Sequence, residues 1–242
     1  MYLGFIVLLW FALCGGIAAQ PLRLVADSWP PFTDQRLLNN GFATDLVSTA
    51  LRRAGYTVEY AQVPWARATR GLQTADYDIV IAAWYSPERA RYGQFSNPYL
   101  INRVRFIQRR GGVLSFNELA DLHGYRIAAV RGYEYSPEFD RDTLLQKVEV
   151  PGFVVGARMV HARRLDLAVE DEYVARYHLA RELLDIRDEL VFLPLPLSEN
   201  PLHILVRRSH PQHAEIIAAF NRAVDQMNAD GTYAALFKRH GL

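Results

Sequence analysis

Two charged residues stand where their neighbours could turn them toward a solute. Arg89 lies in YSPERARYGQFSNPYL (residues 85–100), directly after the apolar run DIVIAAW. With Ser86 as an N-cap and Pro87 at the first helical position, Arg89 falls in a first turn, where amides lack partners and the helix dipole favours an anion. A guanidinium there adds a bidentate fork matched to a carboxylate. The same arginine can equally be a solvated surface group paired with Glu88 or Asp78. Asp171 closes a second strand-like run, LDLAVEDE. Its carboxylate can receive an ammonium group, cap the helix that follows, or do both.

Signals for catalysis are poor. The seven histidines are scattered, and only His210 and His213 are close, in a turn before a helix, so no metal site is expected. No serine sits in a nucleophile elbow and Gly111-Gly112 makes no phosphate loop. Glu134 and Glu170 are the acids or bases to consider, each with a surface or structural role as its alternative. No catalytic residue and no cofactor is assigned.

Groups that meet a solute from different parts of the chain need strands ending at a common edge. Short Val-, Ile- and Leu-rich runs alternate with amphipathic, arginine-bearing segments, the pattern of an α/β fold. Strands are expected at 22–26, 57–62, 79–83, 104–108, 126–130, 165–169 and 202–206. Helices are expected at 45–54, 211–227 and 233–238. Capping signals stand at Ser86, at Ser136 and in the box Ser115-Phe-Asn-Glu118. Aromatic residues cluster just past strand ends: Trp29 and Phe32 in WPPF, Trp65 at the start of a helix, Trp84 and Tyr85 after DIVIAA. In open α/β sheets ligands bind at that carboxyl edge, where such rings would offer π-faces to a flat or cationic solute. Each ring taken alone can instead belong to the core.

Two extended stretches, 99–105 and 193–201 (LPLPLSENP), read as crossings between compact halves, which would leave a cleft at a hinge. The 27 basic and 26 acidic residues nearly cancel, so no broad basic face exists to bind nucleic acid. The uncharged N-terminus, with an apolar run over residues 5–13 and small residues before position 20, reads as a cleaved signal peptide, too short to span a bilayer. Cys14 is the only cysteine, so a mature chain would hold no disulfide.

The order of these motifs is similar to the extracellular solute-binding proteins of family 3, the polar amino-acid binders that serve ABC importers. The resemblance runs from Leu22 to Gly241 through WPPF, GFATDLVSTALRRAGY, SPERARYGQFSNPY, ARRLDLAVEDEYVA and NRAVDQMNADGTYAALFKRHG. It implies two α/β lobes with a double-crossing hinge and a central cleft. Residues 20–103 and 198–242 would form one lobe and 104–197 the other, after a signal peptide at 1–19. It also implies a monomer in the periplasm that delivers a small solute to a membrane permease or receptor. Residue by residue, Arg89 matches the group that takes an α-carboxylate, Asp171 the one that takes the α-ammonium, and Trp29 and Trp65 match sandwiching positions. Ser86 lies in the turn that helps Arg89, with Trp84 and Tyr85 beside it. Tyr133 and Glu134 depart from the small hydroxyl residues usual there; a glutamate would repel a ligand carboxylate unless it turns away or the ligand is more cationic. The family also includes periplasmic dehydratases, so an enzyme using Glu134 or Glu170 is the alternative.

Overall fold

The computed structural model describes residues 20–242; the expected signal peptide, with Cys14, lies outside the described residues. Strand β1 (Leu22–Ala26) pairs in parallel with β2 (Val58–Gln62) and β3 (Ile79–Trp84), with α1 (Phe42–Arg53) and α2 (Trp65–Gln73) as crossovers. β3 is buried along nearly its whole length, as befits an unbroken Ile-Val-Ile-Ala-Ala run covered on both faces. Its inner residues meet α1 and α7 (His213–Ala229) on one face, around Phe42, Leu46, Ile81 and Phe220, and α2 on the other, around Ala68, Leu72 and Val80.

After the one-turn α3 (Arg89–Tyr92) and short β4 (Gly93–Phe95), the chain enters the long strand β5 (Leu100–Arg109). The second lobe then builds β6 (Arg126–Val130), α4 (Pro137–Arg141), β7 (Gln146–Val150), α5 (Phe153–His161), β8 (Leu167–Asp171) and α6 (Glu172–Leu179). β6 lies in parallel between β7 and β8, the same crossover logic as in the first lobe. Its own core joins Phe106, Ile127, Phe139 and Val169 on one face, and Ile107, Ala157, Val160 and Ala168 on the other. The chain returns through β9 (Leu190–Arg207), then α7 and α8 (Thr232–Arg239), which pack on the first lobe.

The extended crossing expected at 193–201 is the middle of β9, paired with β5 from Leu100↔Leu202 to Arg109↔Leu190. Both crossings are one antiparallel ribbon, and it fuses the two halves into a nine-stranded sheet in the order β2-β1-β3-β9-β5-β8-β6-β7, with β4 on β9. The ladder shifts register on either side of Arg105, opposite Pro196, whose missing N–H cannot bond.

Two caps differ from expectation. Glu118, not Ser115, caps the single turn at 119–122, with Asp121 answering its backbone N–H. At 86–92 no side chain caps: the Ser86 carbonyl accepts from the Ala90 N–H, and the helix proper begins at Arg89. Ser136 does cap α4, its hydroxyl accepting from the Phe139 N–H at 3.2 Å. Strand β8 runs two residues later than expected, because Leu165 belongs to the turn and Glu170 and Asp171 carry the pairing to Arg105 and Val104.

Candidate functional site

Three strand ends of the first lobe supply three indoles to one cleft. Trp84 is the last residue of β3, Trp29 follows β1, and Trp65 opens α2. The loop after β1 is held as a turn by hydrogen bonds in both directions between Trp29 and Thr33, which sets Trp29 edge-on to Trp84 at 5.6 Å between centroids. Trp84 is fixed from behind: its Nε1 donates to Asn102 Oδ1 at 3.1 Å. The cleft has a volume of about 400 Å³, is floored by Ala82 and Leu202, and is faced from the second lobe by the 131–134 loop after β6. A cleft of that size has room for a small molecule such as an amino acid or a short amine.

Arg89 reaches into this cleft. Its Nη1 donates to the Trp84 carbonyl at 3.1 Å, and its guanidinium carbon lies 5.1 Å from the centre of the Trp65 ring. Nη2 stands 3.8 Å from Glu134 Oε2, on the opposite lobe. The arginine side chain is 19% exposed and the glutamate 81%, so this pair stands at the solvent edge of the cleft. Arg131, also on the rim, donates from Nε to Glu149 Oε2 at 3.0 Å. Asp27, at the carboxyl end of β1, lines the same cleft. Burial pushes its pKa above the usual carboxylate value, and only its own backbone N–H opposes this. Among the described residues no side chain pairs with it, which leaves Asp27 the uncompensated charge of the cleft.

Asp171 sits deeper. It is 1% exposed and caps α6, accepting from Val174 N–H at 3.0 Å and from Asn102 Nδ2 at 2.9 Å. It lies behind the cleft lining, joined to the cleft through the relay Trp84, Asn102, Asp171. Its neighbour Glu170 is equally buried and accepts the Asp171 N–H at 2.8 Å. Burial pushes Glu170 up to about 8 and Asp171 to about 7, so at neutral pH Glu170 holds a proton. Tyr133, on the cleft wall, has its hydroxyl pKa raised by burial and by the charges of Glu170, Asp27 and Asp171.

The structure thus brings Trp29, Trp65, Trp84, Arg89, Tyr133 and Glu134 to one cleft, with Glu134 turned toward it. Ser86 and Asp171 are not on its lining, and Tyr85 faces away, 61% exposed against Phe95 at 5.2 Å. Sequence reading missed Asp27 and Asn102. Asp27 had a usable signal, since it stands at the end of an expected strand two residues before Trp29. Asn102 had none, because only the β5–β9 ribbon places it under Trp84.

Among the described residues no group of three or more His, Cys, Asp or Glu side chains is placed to hold a metal ion. The model of the bacterial extracellular solute-binding proteins, family 3, matches residues 23–242. The chain is 23% identical over 220 residues to the L-cystine-binding protein TcyJ of Escherichia coli (strain K12), covering 88% of this chain and 79% of that protein. It is 22% identical over 213 residues to the arginine-binding extracellular protein ArtP of Bacillus subtilis (strain 168), covering 82% and 76%. The fold is also that of the GluR0 ligand-binding core from Nostoc punctiforme in complex with L-glutamate: TM-score 0.72, 20% identity, 90% of this chain and 98% of that one. With nearly the whole described chain matched, this protein belongs to the bacterial extracellular solute-binding proteins of family 3.

Proposed function

We propose that the protein captures a small amine-bearing solute, an amino acid or an amine of similar size, and hands it to a membrane ABC importer. The observation that carries this reading is the three-indole cleft with an uncompensated carboxylate, Asp27, at its wall. An ammonium or guanidinium group is drawn to both features: the ring faces attract it by their quadrupoles, and Asp27 pairs with it where water is scarce. The role expected for Asp171 then divides, with Asp27 meeting the amine and Asp171 holding Asn102, and through it Trp84, in place.

No chemistry on the solute is needed. Trp29, Trp65, Trp84 and Asp27 come from one side, Tyr133 and Glu134 from the other, so a solute touching both favours the closed form over the open one. The break in the β5–β9 ladder around Arg105 and Pro196 supports a hinge there, with residues 20–103 and 198–242 moving against 104–197. The names of the relatives, binders of cystine and of arginine, support the solute class, and the family supports capture outside the cytoplasm.

A thermal-shift screen of arginine, lysine, histidine, cystine, glutamate, cadaverine and agmatine tests this. A solute present at about 100 times its Kd adds about 2.7 kcal/mol and should raise the Tm by roughly 5–10 °C. A screen in which every compound leaves the Tm within about 1 °C would refute the reading.

A further inference from the structure

We infer that Glu134 is a built-in occupant of the Arg89 anion position, and that it makes the cleft select amines without a carboxylate over the corresponding α-amino acids. This rests on the small-amine reading above and names its substrate class. Arg89 already has partners on the cleft side. Nη1 is bonded to the Trp84 carbonyl, one face of the guanidinium lies on Trp65, and Nη2 looks across the cleft at Glu134. A ligand carboxylate that approached Nη2 would have to displace the Glu134 carboxylate or share the guanidinium with it, and two like charges at such spacing repel. The pair links residues of both lobes without a ligand acid.

The remaining charges agree. Arg131, at the rim, is paired with Glu149. Asp27 is left over, and the aromatic walls Trp29, Trp84 and Tyr133 surround the space beside it. Asp27 and Glu134 balance Arg89 and Arg131 on the lining, and Glu149, outside it, pairs with Arg131, so Asp27 is the carboxylate left to meet a positively charged ligand group. Glu134 is therefore a specificity-determining residue: it supplies internally the carboxylate that an amino acid would otherwise bring.

Calorimetric titrations with two matched pairs, agmatine against arginine and cadaverine against lysine, read this directly, because each pair differs only in the carboxylate. The wild type should bind the decarboxylated member at least 10-fold more tightly. In Glu134→Gln, whose side chain is largely in solvent and whose fold is not at risk, the amino acids should gain at least 10-fold and the preference should vanish. Adding Arg89→Ala to Glu134→Gln should abolish that gain, which ties it to the freed guanidinium. Arginine binding the wild type as tightly as agmatine would overturn the inference alone, as would a preference unchanged in Glu134→Gln. If none of the four compounds binds, the small-amine reading falls, and this inference with it.

Discussion

At the residue scale, the buried carboxylates Glu170 and Asp171 separate what is structural in this cleft from what meets solute. Both are adjacent, both are shut away from water, and both are held above their usual pKa by burial. For Glu170 the native state keeps a proton that the unfolded chain gives up once the pH passes its ordinary value near 4.5. Its contribution to stability is then complete below that value and is lost as the pH rises to about 8. Glu170→Gln, which carries neutrality at every pH, should flatten the decline. Urea unfolding at pH 5 and pH 8 should show the variant gaining on the wild type by a few kcal/mol across that interval. Parallel pH profiles for the two proteins would mean that Glu170 is ionised in the fold. Arg89 shows the other side of the same lesson. Its helix is a single turn with no side-chain cap, so its place is set by the Trp84 carbonyl and the Trp65 ring rather than by a helix terminus.

At the element scale, strands β1, β3 and β9 are fastened at the end remote from the cleft by Asp78. Its carboxylate accepts from Arg23 Nε and Nη2 and from Arg207 Nε, all within 3.0 Å. Burial alone would raise its pKa, but hydrogen bonds from the two arginines outweigh it and hold the group at about 2. Asp78→Asn should cost about 2–4 kcal/mol in chemical denaturation, since it leaves two guanidinium groups without their partner, while ligand affinity stays unchanged. A second element-level constraint is Gly41, with φ +97° and an added Cβ that would stand 2.5 Å from the Phe32 carbonyl oxygen. Gly41→Ala must push the loop that carries Trp29, so it should lose solute affinity as well as about 1–3 kcal/mol of stability, read by calorimetry and denaturation. The alternation of apolar runs and helical segments made most of the strands legible, and the capped start of α4 was legible from Ser136-Pro-Glu. Where the reading slipped, tertiary contacts decided. Residues 193–201 look like linker because three prolines interrupt them, yet facing β5 makes them strand. Asp171 reads equally well as ligand group or cap until the fold buries it under Asn102. Glu134 was recognised as a departure, but that it faces Arg89 depends on two lobes meeting.

At the scale of the whole molecule, one sheet runs through both lobes, and the same β5–β9 ribbon that joins them carries Asn102, whose amide links the Trp84 indole to Asp171 and the start of α6. The cleft wall and the second lobe are thus joined by a continuous set of hydrogen bonds. The proposed role of this cleft is capture of a small cation, with Asp27 as its counter-charge. The most direct measurement is a calorimetric titration of the best binder among agmatine, cadaverine, arginine and lysine into the wild type and into Asp27→Asn. Saturable one-to-one binding to the wild type is expected, with at least a 10-fold loss in the variant, about 1.4 kcal/mol or more. Affinity within twofold of wild type for Asp27→Asn would contradict it.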